Sequence, residues 1–202
     1  MTNIKRAGTS LADAKKAAIL IHGRGASAES ILSLAQYLQL DEYALLAPEA
    51  AGGTWYPYSF MAPDEANRTA LALSLETLKD AWNQVVEAGI SSENTVLIGF
   101  SQGACLSLEF AAQHAQKLGG VIAFTGGLIG EQLMPEKYAG DFSGTPIFIG
   151  SSERDIHVPL DRIKESETLL SRMGAKVKLL IFKDSNHTIR KEEIDWVNEN
   201  IL

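Results

Sequence analysis

The sequence predicts an α/β fold, a mostly parallel sheet with helices on both faces, formed by one domain across residues 1–202. Three observations predict it. Apolar, β-rich runs alternate with helix-period segments almost from end to end. Several of the runs are continuously apolar rather than alternating, which suits strands covered on both faces. A chain of 202 residues, 46% of them hydrophobic, suits one domain with a sizeable core but not two full domains.

The elements follow in order. Ala17–Ile21 (AAILI) reads as a strand, and Ile31, Leu34, Ala35 and Leu38 form a helical stripe behind Ser27, a candidate N-cap. Tyr43–Ala47 is the next strand, followed by the aromatic, turn-rich stretch Gly52–Pro63. Leu71, Leu75, Leu78, Trp82 and Val85 then recur with helical spacing, and Gly89 offers a stop. Thr95–Phe100 is a strand; Ala104, Leu108, Ala111 and Ala115 make a small-residue stripe that suits close packing on a sheet. Gly120–Thr125, Thr145–Gly150 and Lys176–Phe182 are further strands. Helical stripes lie at Ile163, Leu170 and Met173 and at Ile194, Val197 and Ile201. A second long loop, Gly126–Gly144, interrupts the alternation, and long loops in compact domains usually carry function.

Composition narrows the function. With 18 Lys and Arg against 25 Asp and Glu, the net charge of −7 disfavours nucleic acid as a partner. One cysteine, Cys105, permits neither an internal disulfide framework nor a thiolate zinc cage. No His, Asp or Glu set has metal-ligand spacing, so neither metal nor cofactor is expected. Ala17–Ile21 is too short for a signal-peptide core, and no run approaches a membrane span. A cytoplasmic protein acting on a small molecule is expected, with a homodimer left open.

The sharpest motif is Gly99-Phe100-Ser101-Gln102-Gly103, after one strand and before one helix. A G-x-S-x-G in that setting reads as a nucleophile elbow, a strained turn that lifts the serine hydroxyl above the sheet edge. Side chains two residues either side would collide in that turn. The helix that begins at the serine offers free N–H groups to negative charge.

A serine nucleophile needs a base and an orienting acid. Downstream histidines are His114, His157 and His187. His114 lies over three turns along the elbow helix and points away. His187 follows the last strand, at the carboxyl edge where sites in open α/β sheets gather. Asp155 follows Thr145–Gly150 at the same edge, with Asp184 and Glu153 as rival acids. The turn His22-Gly23-Arg24-Gly25 after the first strand offers a second main-chain donor, so an oxyanion hole is expected from the Arg24 and Gln102 amides. The same turn also fits a dinucleotide fingerprint, Gly23-x-Gly25-x-x-Ala28, with Glu49 as ribose partner. That nicotinamide-oxidoreductase alternative leaves the elbow, Asp155 and His187 unexplained.

Together, His22-Gly23-x-Gly25, GFSQG at 99–103, Asp155-Ile156-His157-Val158-Pro159 and the Asn186-His187 loop resemble the phospholipase/carboxylesterase family of small α/β-hydrolases. The resemblance implies an α/β-hydrolase fold without a large cap domain. It implies hydrolysis of carboxylic esters through Ser101, Asp155 and His187, and it selects Asp155 over Asp184. Thioesters or lysophospholipids are the alternative substrates on the same machinery. Three departures from acyl-protein thioesterases, Arg24 in place of their typical apolar residue, Gly150–Arg154 before the acid and His157 as a second histidine beside it, point within that resemblance to the bacterial esterase branch. Trp55, Tyr56, Leu128 and His157 are the expected substrate-binding residues, giving a short open groove for short-to-medium acyl groups. Cys105, one turn past Ser101, is expected to be buried packing.

Overall fold

The structure, a computed structural model, describes residues 3–202. Seven strands form one sheet: β1 (Ile4–Gly8), β2 (Lys16–Ile21), β3 (Tyr43–Pro48), β4 (Thr95–Phe100), β5 (Gly120–Phe124), β6 (Pro146–Ser152) and β7 (Lys176–Phe182). Their spatial order is β1-β3-β2-β4-β5-β6-β7, with β1 antiparallel to β3 and every other pair parallel. Five helices accompany them: α1 (Ala28–Leu32), α2 (Asp64–Glu87), α3 (Gln102–Gln113), α4 (Leu160–Arg172) and α5 (Lys191–Asn200).

Pleat alternation in β2 decides which helices cover which face. Ala17, Ile19 and Ile21 point into a core with Leu78, Ala81 and Val85 of α2, Leu106 and Leu108 of α3, and Ile163 and Leu170 of α4. Ala18 and Leu20 point into the opposite core, with Ala28 and Ile31 of α1 and Val197 of α5. The expected fold is what the chain adopts.

Three local differences have physical reasons. The strand β1 carries Lys5 and Arg6 at a sheet edge and lacks the apolar run that marks the inner strands. Helix α2 begins at Asp64, well before Leu71, because its first turns satisfy the helix N-terminus with Asp64 and Glu65 rather than with apolar residues. The stripe from Ile31 to Leu38 splits into the short α1 and a 3₁₀ turn, Ser33–Tyr37. Among the described residues, no helix is long and apolar enough to cross a membrane.

Candidate active site

The end of β4 and the start of α3 form a tight elbow at Ser101, whose φ of 55° and ψ of −118° are strained for a residue with a Cβ. Gly99 and Gly103 make the turn sterically feasible. A Cβ on Gly99 would lie 2.3 Å from the Gly103 carbonyl oxygen, and one on Gly103 would lie 2.1 Å from that of Ile21. Both clashes are with backbone, so neither is relieved by a rotamer change.

Three loops at the carboxyl edge bring the catalytic candidates together. His187 Nε2 lies 2.8 Å from Ser101 Oγ, and His187 Nδ1 lies 2.7 Å from Asp155 Oδ2. The other carboxylate oxygen, Oδ1, accepts the amides of His157 at 2.7 Å and Val158 at 3.2 Å. Asp155 is thereby buried with both oxygens engaged. The imidazole of His187 is flanked by the rings of Phe100 and His157, at centroid distances of 5.4 and 5.0 Å. Asp184, the carboxylate nearer in sequence, is bonded to Arg190 and to the Asn186 amide instead.

The loop that carries His187 is tied down by residues that belong to no sequence motif. Arg190 Nη2 donates to Asp184 Oδ1 at 2.6 Å and to Ser152 Oγ at 2.9 Å. Ser152 Oγ in turn donates to the Asn186 carbonyl at 2.6 Å. Arg190 is a lone charge between His187 and α5 in the sequence, and only the β6–β7 pairing brings Ser152 to it. Behind the clamp, burial raises the Glu193 carboxyl to about 7, despite the Arg190 amide bonded to its Oε2 at 2.7 Å.

The turn after β2 runs beside the nucleophile: a Cβ on Gly23 would sit 3.5 Å from Ser101 Cβ. Within it the Gly25 amide donates to the Gly53 carbonyl and the Ala26 amide to that of Gly23, while the preceding Arg24 amide makes no such bond among the described residues. The Gln102 amide opens α3, whose N-cap Ser101 gives no side-chain bond to the helix. The N-terminal end of α3, with its free N–H groups, therefore lies directly after Ser101.

A cavity of about 630 Å³ opens over Ser101 and His187, lined by Tyr56, Tyr58, Phe60, Ile156 and His157 among others. Tyr56 and His157 thus lie where substrate binding was expected. Trp55 and Leu128 do not. Trp55 is buried beneath the cavity wall, its indole N–H donating to the His22 carbonyl at 2.8 Å and its carbonyl accepting from Ser74. Leu128 is fully buried in the core, its amide on Ser166 Oγ and its carbonyl on Arg162. Both positions answer to packing, which counting aromatic and apolar residues in a loop does not separate from lining. The side chain of Gln102 has a role unseen in the motif: Oε1 accepts the Trp55 amide at 3.0 Å and Nε2 donates to the Tyr56 carbonyl at 2.8 Å. Cys105 is buried as expected, with its thiol pushed up to about 12 by burial. Among the described residues, no three His, Cys, Asp or Glu side chains are grouped to hold a metal ion.

This geometry has relatives. The phospholipase/carboxylesterase family model matches residues 9–201. The chain belongs to the phospholipase/carboxylesterase family. A crystal structure of a phospholipase/carboxylesterase from Dyadobacter fermentans is 45% identical, covers 100% of this chain and 96% of its own, and has a TM-score of 0.98. Acyl-protein thioesterase 1 of Kluyveromyces lactis is 28% identical over 176 residues, 78% of this chain and 77% of that protein. A carboxylesterase structure from Bacillus cereus, 17% identical, has a TM-score of 0.79 over 98% of this chain and 92% of its own, and speaks for the fold alone. The fold is that of the α/β-hydrolases, with no large cap domain among the described residues. Membership of the phospholipase/carboxylesterase family places the chain among hydrolases of ester and thioester bonds.

Membership also displaces the dinucleotide alternative. Glu49 spends its Oε2 on the Ala28 amide at 2.9 Å, and Gly23 is small because Phe100 and Ser101 approach it. Gly23 serves the elbow, while Gly25 serves the turn itself through its φ of +73°.

Proposed function

We propose that the protein is a serine esterase that hydrolyses short-to-medium acyl esters through an acyl-enzyme on Ser101. The observation that carries this is the continuous hydrogen-bonded line Ser101–His187–Asp155 at the floor of an open cavity. In this mechanism Ser101 Oγ attacks the ester carbonyl while His187 Nε2 takes its proton. Asp155 holds the imidazole with Nδ1 protonated and stabilises the imidazolium. The tetrahedral oxyanion is held by the Arg24 and Gln102 amides, each worth roughly 3 kcal/mol in the transition state. His187 returns the proton to the leaving alcohol, and water repeats the sequence to release the acid.

Acyl length follows from the cavity. Tyr58 and Ile156 at its walls are 59% and 85% exposed, so a chain lying between them stays half in water. Each buried methylene adds only about 0.8 kcal/mol, and the gain ends where the wall ends. Thioester hydrolysis is the second reading, favoured by the likeness to a yeast acyl-protein thioesterase. A fluorophosphonate probe mapped by mass spectrometry tests the nucleophile. Parallel p-nitrophenyl ester and acyl-thioester series, with Ser101→Ala as blank, test bond type and chain length. Label on another serine, with activity kept in Ser101→Ala, sinks the assignment.

A further inference from the structure

The cavity over Ser101 carries one permanently charged side chain among the described residues. Arg24 lines it, and no Asp or Glu does. Its guanidinium is held in place by main-chain acceptors: Nη1 donates to the Pro57 carbonyl at 2.9 Å and Nη2 to the Tyr58 carbonyl at 2.8 Å. These bonds fix the planar fork without neutralising it, and no carboxylate forms an ion pair with it among the described residues. Arg24 is exposed and lines the cavity, so N–H groups beyond those two bonds remain open to a ligand. The molecule as a whole is acidic, at −7 net, and repels anions at long range. A fixed, unpaired cation lining the same cavity as the nucleophile in such a chain is a local device.

We propose that Arg24 forms an anion subsite, and that the preferred ester carries a second, negatively charged group, a carboxylate or phosphate, besides its scissile bond. The inference rests on the serine-esterase reading and adds the substrate class. A guanidinium held by two carbonyls loses little conformational freedom when it binds a planar or tetrahedral oxyanion. The uncharged remainder of the substrate meets Tyr56, Tyr58 and Ile156. The anion sits on either the acyl or the alcohol side of the ester, and the two sources are separable.

On the acyl side, p-nitrophenyl half-esters of succinic, glutaric and adipic acids are compared with p-nitrophenyl butyrate, pentanoate and hexanoate. On the alcohol side, butyryl-glycerol phosphate is compared with butyrylglycerol. Rates are taken above the Ser101→Ala blank. The expected result is a kcat/KM about fivefold higher for the anionic member of at least one pair, the scale of one exposed charge-assisted contact. That ratio falls towards one in Arg24→Gln, whatever the variant does to neutral turnover. In the wild type it also falls at high ionic strength, because the guanidinium is exposed and screened. The subsite is overturned if neutral members equal or beat anionic ones in every pair. It is equally overturned if the ratio survives high salt or Arg24→Gln. Neutral turnover without anion preference removes only the subsite; no turnover on any ester removes the esterase reading as well.

Discussion

Arg190 grips Asp184 at 2.6 Å, and the carboxylate nearest to His187 in the sequence is thereby engaged elsewhere. The imidazole instead meets Asp155, which arrives from beyond the end of the neighbouring strand β6. Asp155→Asn is therefore expected to lower kcat on the order of 10⁴-fold, as in the best-studied triad, while leaving the fold intact. Asp184→Asn should cost far less. Steady-state kinetics on both, with circular dichroism as the folding check, decides; reversed losses would make Asp184 the orienting acid.

Breaking the clamp from its other end should misplace the base without touching it. Arg190→Met removes the links to both Asp184 and Ser152. A displacement of His187 by about 1 Å can cost up to about 10²-fold in rate. The expected outcome is a fall in kcat with KM nearly constant. An unchanged kcat in a folded variant would show that the loop holds itself.

The elbow glycines differ from other glycines of the same region. Gly99→Ala and Gly103→Ala force a Cβ into backbone atoms and should each cost about 1–3 kcal/mol or more, together with activity. Gly25→Ala meets no atom within 4 Å and pays only for its φ of +73°, roughly 1 kcal/mol. Chemical denaturation of the three variants gives the ranking.

Trp55→Ala should act on stability, not on chain-length preference. Its indole fills the space beneath the cavity wall, and removing such a ring costs about 3–5 kcal/mol. Tyr58→Ala and Ile156→Ala, at the exposed walls, should shift acyl preference through KM while leaving the melting temperature almost unchanged.

Glu193 makes stability depend on pH. Its carboxyl ionises near its ordinary 4.5 in the unfolded chain and near 7 in the fold. Between those values the unfolded state sheds a proton that the folded state keeps, so stability falls as pH rises from about 4.5 to about 7 and then levels. The swing is at most about 3 kcal/mol, since each pKa unit is 1.36 kcal/mol. Glu193→Gln should flatten this part of a plot of unfolding free energy against pH. A slope that persists places the titration on another group.

The legibility of this molecule in its sequence was uneven for physical reasons. The inner strands were visible because burial on both faces demands unbroken apolar runs such as Thr95–Phe100. The elbow was visible because its sterics allow only glycine at 99 and 103. Asp155 and His187 could be placed because both follow strands that end at one sheet edge. Arg190, Ser152 and the Gln102 side chain were not visible, since their work is a set of contacts between residues 6 to 47 positions apart, with no local pattern. Trp55 and Leu128 misled for a related reason: apolar character says that a side chain leaves water, but not whether a core or a ligand receives it.

Both borders of the sheet carry cations. The strand β1 presents Lys5 and Arg6 to solvent at one border, and β7 presents Lys176 and Lys178 at the other. In a chain that is acidic overall, copies approaching border to border meet like charge to like charge, whichever borders face each other. Continuous sheet growth between molecules is penalised electrostatically even though each border has unpaired main-chain groups. Concentrated protein should therefore stay dispersed in dilute buffer and lose that protection as added salt shortens the range of the repulsion.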